Sequence, residues 1–205
     1  MATPHERIGI SRSQVDRAGV VLRDWFDSGL LVDPRIEESS AVVSAFRSQF
    51  KGPLKLVVMG LRSAVKTSDA PLLVAERLKR QPRIIGKLQR FRQMELTRMQ
   101  DIAGCRAILP DRATVDAVRN RVERQKSDVL RVYDYNAAPK PGGYRAIHLV
   151  VRRDGALVEI QLRTIWQQRW AMLVEGLDFA YRLQLKDEQG PREVLDYLRA
   201  YASSL

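Results

Sequence analysis

Tyr144-Arg145-Ala146-Ile147-His148-Leu149-Val150-Val151-Arg152-Arg153, then Asp154-Gly155, then Ala156-Leu157-Val158-Glu159-Ile160-Gln161-Leu162-Arg163 reads as two strands joined by a two-residue turn. Asp-Gly tolerates the positive φ angles of a type I′ turn, whose twist matches that of the strands it joins. In the second strand Val158, Ile160 and Leu162 alternate with Glu159, Gln161 and Arg163. One face is therefore core, and the other carries a carboxylate, an amide and a guanidinium. Such a face serves either as the solvated side of an antiparallel strand or as one wall of an active site.

The hairpin is entered through a loop broken by Pro139, Pro141, Gly142 and Gly143 and carrying Lys140, Tyr144, Arg145 and His148. One ring among cations suits a planar, anionic ligand such as a nucleotide: Tyr144 can stack on a base while Lys140, Arg145 and His148 reach phosphates. Further upstream, Val129 to Tyr135 reads as a strand. Asp111 caps a helix to about Arg124 with Val115, Val118 and Val122 on one face, and Gly104 to Leu109 is a buried strand ending at Pro110. Leu72 to Lys79 is a strand, followed by a short helix from Arg83 to Arg92, just after Pro82.

At the start, a helical stripe of Val15, Ala18, Val21, Leu22, Trp25 and Phe26 has Ser11 or Ser13 as its N-cap, and a second helix covers Ile36 to Phe50. Leu54 to Val65 is apolar with mixed periodicity that distinguishes neither helix nor strand. At the other end, Thr164 to Leu185 reads as a long helix and Pro191 to Tyr201 as a last one. The sum is a single α/β (α+β) domain with helical ends.

The chain has 205 residues, 45% of them hydrophobic, enough for one domain with a core. Its 35 Lys+Arg against 24 Asp+Glu give a net charge of +11, which favours phosphate-bearing partners and is equally compatible with a basic surface that binds nothing. A single cysteine, Cys105, excludes an intrachain disulfide and points to a reducing compartment; its apolar setting makes it a small core residue. The first residues lack the apolar stretch of a signal peptide, and no apolar run approaches the roughly 20 residues of a membrane helix. The expectation is a cytoplasmic protein with no membrane contact.

Two further features bear on chemistry. Arg77, Lys79, Arg80, Arg83, Lys87, Arg90 and Arg92 form a dense cationic segment. Arg77 and Lys79 share a strand face, and Lys87 lies four residues after Arg83 on one helix face. These cations either converge on phosphate where strand feeds helix, or coat a solvated face. Asp101 and Glu159 are carboxylates on different strands, the pair that a Mg2+ bridging polyphosphate oxygens requires.

The order of these motifs resembles the synthetase domain of the RelA/SpoT family, the (p)ppGpp or alarmone synthetases. The matching residues are Arg77-Leu78-Lys79, Ile84-Ile85-Gly86-Lys87-Leu88, Asp101-Ile102-Ala103-Gly104-Cys105-Arg106, Asp134-Tyr135, Pro139-Lys140, Gly143-Tyr144-Arg145, His148, and Val158-Glu159-Ile160-Gln161-Leu162-Arg163-Thr164. The resemblance covers about residues 72 to 183 and, with no hydrolase domain ahead of it, is to a small stand-alone member. It implies a nucleotidyltransferase-like mixed sheet flanked by helices. On that basis residues 1–70 form a helical extension, 71–185 the synthetase core and 186–205 a C-terminal helix.

The same resemblance implies transfer of the β,γ-pyrophosphate of ATP to the ribose 3′-hydroxyl of GDP or GTP, with Mg2+ as cofactor. Arg77 and Arg106 would hold the adenine, and Lys79, Lys87 and Arg83 the ATP phosphates. Asp101 would bind metal, and Glu159 would bind metal or act as base. Tyr144 would stack on the acceptor base, with Lys140, Arg145 and His148 on its phosphates and Gln161 orienting acceptor or base. A homo-oligomer, commonly a tetramer in this family, is a further implication.

Several residues depart from the family pattern: Arg83 stands where serine is usual, Tyr133 where a basic residue is usual, and Asn136 where isoleucine is usual. Pro141-Gly142 replaces a common asparagine, and Val174 replaces an acid. Most lie on the acceptor side. Two alternatives therefore accompany the alarmone reading. One is a toxic relative that pyrophosphorylates the 3′ end of tRNA, using cations such as Arg152, Arg153 and Arg169. The other is a non-catalytic nucleotide or RNA sensor, which would have no use for Asp101 and Glu159 together.

Overall fold

The computed structural model describes residues 2–29, 33–67, 73–125, 128–185 and 188–204. Leu72, the expected first residue of a strand, lies outside the described residues. In chain order the elements are α1 (Arg12–Ser28), α2 (Arg35–Ser48), α3 (Lys51–Lys66), β1 (Leu73–Leu78), α4 (Gln81–Arg90), β2 (Ala103–Leu109), α5 (Arg112–Arg124), β3 (Asp128–Asp134), β4 (Ile147–Arg153), β5 (Ala156–Thr164), α6 (Ile165–Tyr181) and α7 (Arg192–Ser203). The strands form one mixed five-stranded sheet in the order β1-β2-β5-β4-β3, flanked by helices. The α/β expectation holds.

The β4–β5 turn is the one its dipeptide demands: Asp154 has φ 47° and Gly155 φ 73°. That turn sets the register of β5, so Val158, Ile160 and Leu162 are buried while Glu159 and Gln161 are half-exposed.

Residue contacts gather into two compact units: Met1–Met59 with Glu76–Cys105 and Val150–Glu159, and Gly60–Ala75 with Arg106–Leu149 and Ile160–Leu205. In the first, α1 packs on α2, on α4 and on a short 3-10 turn, Leu96–Arg98. Ser11 is its N-cap, in a reciprocal capping box with Gln14, and Val15, Ala18, Gly19 and Leu22 are its buried stripe. Helix α4 begins at Gln81, two residues earlier than expected, because Pro82 sits in the first turn, where a missing N–H costs nothing.

In the second unit, Asp111 caps α5 by accepting from the Thr114 amide at 2.7 Å. Thr164 and Gln167 form a capping box at the start of α6. Trp170, Ala171, Val174, Leu185, Leu198 and Ala202 form a core between α6 and α7. Trp170 donates from its indole nitrogen to the Leu198 carbonyl at 2.9 Å. Val174, out of pattern as a replacement for an acid, is a fully packed member of this core.

Two further differences from expectation concern α3 and the end of α6. The ambiguous 54–65 stretch is helical: Leu54, Val57, Val58, Leu61, Ala64 and Val65 make a buried stripe of α3. Leu56 and Met59, exposed by 40% and 58%, are the apolar residues that obscured its period. Helix α6 stops at Tyr181 rather than Leu185. Arg182 turns left-handed at φ 52°, and the Asp178 carboxylate accepts from the Leu185 amide at 2.7 Å.

Candidate active site

The first cluster lies in the first unit and is built from β1, α4 and the segment before β2. The Lys79 amide donates to the Ile102 carbonyl at 2.8 Å, which brings the end of β1 beside Asp101. Lys87, on the second turn of α4, reaches the same carboxylate. Lys79 Nζ lies 2.6 Å from Asp101 Oδ2 and Lys87 Nζ lies 2.8 Å from Oδ1, so each oxygen takes one ammonium. The side chains retain 11% and 21% exposure for the lysines and 19% for Asp101, a low-dielectric cluster that solvent still reaches.

Burial pulls Lys79 below its ordinary pKa, and Lys87 and Arg77 act in the same direction against Asp101. Burial works to raise Asp101, but Lys79 and Lys87 outweigh it and hold the carboxyl below its usual range. Two cations share one anion, so the cluster keeps a positive excess suited to a polyanion. The Arg77 and Arg83 side chains are exposed and make no hydrogen bond or ion pair with another described residue. The structure thus joins Lys79, Lys87 and Asp101, and leaves Arg77 and Arg83 outside that knot.

Glu159 is half-exposed on β5, and its carbonyl oxygen sits 3.5 Å from where a Cβ on Gly104 of β2 would be. Cys105 is buried beside it. Burial, reinforced by the Glu76 and Glu159 charges, pushes its thiol up to about 12. Native protein is therefore expected not to react with a thiol reagent such as DTNB at pH 8 and to titrate one thiol in denaturant; rapid native labelling would contradict the core assignment. No cluster of three or more His, Cys, Asp or Glu able to hold a metal occurs among the described residues. Two hard carboxylates, Asp101 and Glu159, nevertheless match the donor set of Mg2+, which binds one or two carboxylates and completes its shell with water and phosphate.

The second cluster lies in the second unit. Tyr144 Oη lies 2.6 Å from His148 Nε2 and accepts from Arg163 Nη2 at 2.7 Å. Tyr135 meets Tyr144 and His148 edge-on, with centroids 5.8 and 5.2 Å apart, and Lys140 Nζ stands 4.7 Å over Tyr135 and 5.4 Å over Tyr144. Arg106 donates to Gln161 Oε1 at 3.3 Å and to Gln168 Oε1 at 3.0 Å. Lys140, Tyr144 and His148 are thus one assembly, and Arg106 and Gln161 are joined.

Arg145 faces elsewhere: its guanidinium donates to the carbonyls of Ala202 at 3.1 Å and Asn136 at 3.3 Å, tying the loop to α7. Arg199 of α7 donates to the Pro141 carbonyl at 3.2 Å. Gly143, at φ 90°, lies so close to α7 that a Cβ would fall 2.8 Å from Ala202 Cβ. Gly143→Ala is expected to lower unfolding free energy by about 2 kcal/mol through backbone strain and this clash, measured by urea unfolding.

The out-of-pattern Asn136 is 7% exposed, and its side-chain oxygen accepts from Gln167 Nε2 at 2.8 Å, clamping the loop to the capping box of α6. Tyr133 stacks on Tyr135 at 6.1 Å and 5°, extending the ring surface along β3. Sequence reasoning named Arg163 only as part of the polar face of β5, and gave no role at the site to Gln168 or α7. Arg163 and Gln168 follow that face and open the next helix, the one local signal they carry.

A lysine-clamped carboxylate and a cradle of rings and cations have the chemistry of a protein that handles phosphorylated nucleotides. The family described as "Region found in RelA / SpoT proteins" matches residues 76–185, and the chain belongs to it. An uncharacterized protein of Mycobacterium tuberculosis, Rv1366, is 32% identical over 196 residues, 93% of this chain and 67% of the relative. GTP pyrophosphokinase YjbM of Bacillus subtilis is 32% identical over 142 residues, 62% of this chain and 67% of that protein. Among solved structures, small alarmone synthetase 1 of Bacillus subtilis bound to its product pppGpp superposes with a TM-score of 0.63 at 27% identity, covering 77% of this chain and 89% of that one. No helix among the described residues is long and apolar enough to cross a membrane.

Proposed function

We propose that this chain is an ATP-dependent pyrophosphokinase that makes (p)ppGpp from GDP or GTP. The observation that carries the reading is the Lys79–Asp101–Lys87 cluster, one carboxylate held by two half-buried ammonium groups within the family region. Relatives named GTP pyrophosphokinase, and a similar fold that carries pppGpp, support the same chemistry.

The reaction forms a bond between the acceptor 3′-oxygen and the β-phosphorus of ATP. It breaks the bond from that phosphorus to the α,β-bridging oxygen, and AMP leaves. Lys79 and Lys87 hold the polyphosphate and offset charge that builds on the leaving oxygen. Glu159 accepts the 3′-hydroxyl proton. Arg106 and Arg77 take the adenine, and Arg83 adds a cation for phosphate one turn before Lys87. Asp101 and Glu159 would hold Mg2+, which would supply charge neutralisation on the phosphates. Tyr144 stacks on the acceptor base, with Lys140 beside it for phosphate and Gln161 orienting acceptor or base.

A second reading, transfer to the 3′ end of tRNA, is favoured by the Tyr133–Tyr135 stack, which offers ring surface to more than one base. One experiment separates the two. Purified protein is incubated with γ-labelled ATP and Mg2+ and offered GDP, GTP or deacylated tRNA in turn. Label on a guanine nucleotide is expected, label only on tRNA replaces the acceptor, and no transfer to any of them overturns the enzymatic reading.

A further inference from the structure

Arg163 is 5% exposed at the end of β5, and no carboxylate pairs with it among the described residues. The groups that accept its hydrogen bonds are neutral. Nη1 donates to Gln168 Oε1 at 3.0 Å, while Nη2 donates to Gln161 Oε1 at 3.2 Å and to Tyr144 Oη at 2.7 Å. Its Cζ lies 5.0 Å from the Tyr144 ring centroid, and its Nε is buried with no hydrogen-bond partner. Burying a guanidinium on amide and phenol oxygens is a costly way to fill a core, and an apolar side chain of similar length would serve stability as well. That cost calls for a role other than stability.

The two amide oxygens that receive Arg163 are the ones that receive Arg106. Only the oxygen of a carboxamide accepts, so both glutamines are fixed in orientation by both guanidiniums. The result is a frame of two arginines and two glutamines, with Tyr144 attached to it through its hydroxyl. His148, on the other side of that hydroxyl, completes the hold on the ring.

We propose that Arg163 is the positioning residue for Tyr144: it anchors the phenol to the Gln161–Gln168 frame and so sets the plane on which the acceptor base stacks. The inference rests on the proposed function, because it takes Tyr144 as the platform for that base. A stacking ring held at its hydroxyl loses less freedom on binding than a free one, and the gain is read in acceptor affinity. Arg106 keeps both of its amide bonds when Arg163 is removed, so the ATP side is spared.

The test is a double-mutant cycle between Arg163→Met and Tyr144→Phe. It is read as GDP affinity in the presence of a non-hydrolysable ATP analogue, with melting temperature measured alongside. Arg163→Met is expected to weaken GDP about tenfold in the wild-type background and less than twofold in the Tyr144→Phe background, since the hydroxyl it acts through is then gone. Affinity for the ATP analogue changes less than about threefold, and the melting temperature is held or raised. Equal losses in both backgrounds, or parallel losses of GDP and ATP-analogue affinity, overturn the proposal, as does unchanged GDP affinity. Wild-type protein that binds GDP in this cycle but transfers no pyrophosphate overturns the function and leaves the positioning role standing. A chain that binds no GDP overturns the positioning role. Should Arg163→Met fail to fold, Arg163→Lys, which keeps the charge and loses the planar fork, carries the same cycle with the same expected non-additivity.

Discussion

Asp101→Asn is expected to lower kcat for pyrophosphate transfer by about three orders of magnitude and unfolding free energy by about 2 kcal/mol. The two losses have separate causes. Asparagine keeps the size of the side chain but removes the negative charge that Lys79 and Lys87 share at 2.6 and 2.8 Å. Two partly buried cations then face each other, and Lys79, already pulled down by burial, is pulled down further. The cost is set below that of a fully buried pair because Asp101 is 19% exposed. The catalytic loss follows from its proposed role as a metal ligand, and is measured as kcat across a Mg2+ titration; undiminished turnover would refute that role.

The pH dependence of stability supplies the sign. Asp101 has its folded pKa below the ordinary aspartate value of about 3.9. Its stabilising contribution is therefore present above that value and disappears as pH falls through the lower, folded value. The wild-type stability advantage over Asp101→Asn is expected to be full near neutrality and to vanish on the acid side of about pH 4. Urea unfolding from pH 7 to pH 2 measures it, and a constant difference across that range would contradict the ion-pair account.

Glu159→Gln is expected to cut kcat by about 10³-fold or more while ATP affinity without metal changes little. Glutamine is nearly isosteric and keeps the polar face of β5, so the fold survives. The carboxylate is the group lost, and with it the proposed acceptor for the 3′-hydroxyl proton. Cys105 reports the same charge: with Glu159 neutralised, one of the two carboxylates that reinforce the rise of its thiol is gone, so its pKa moves down while burial keeps it high. Turnover by Glu159→Gln within tenfold of wild type would remove the assigned base.

The parts of the fold legible in the sequence are those decided within a few residues. Asp154-Gly155 specifies its turn, and the turn specifies the register of β5 and hence which face carries Glu159 and Gln161. Asp111 and Ser11 cap the helices that follow them by bonds to amides three residues on. Where local signals conflict, the reading falters. Exposed Leu56 and Met59 blur the stripe of α3, and the end of α6 depends on Asp178 reaching the amide of a residue beyond the helix.

The site divides in the same way. Residue type and order were enough to single out Lys79, Lys87, Asp101, Tyr144, His148 and Glu159, because the chemistry needs cations, carboxylates and a ring. Alternation put Arg163 on the polar face of β5, yet the side chain is buried: period two assigns a face and says nothing about what covers it. Arg145 looked like a phosphate ligand by type, and its guanidinium is taken up by two backbone carbonyls.

What the sequence by itself determined is therefore most of the strands and helices, α3 excepted, the Asp-Gly hairpin and the inventory of charged and aromatic groups, since each depends on steric preference, periodicity or chemistry within a short window. What only the tertiary structure decided is which of those groups meet. Lys79 finds Asp101 across 22 residues, Arg163 finds Tyr144 across 19, and α7 reaches the loop through Arg145 across 57. Burial strengthens each of these contacts by removing water, and burial is a property of the folded chain, because it depends on residues brought together from distant parts of the sequence.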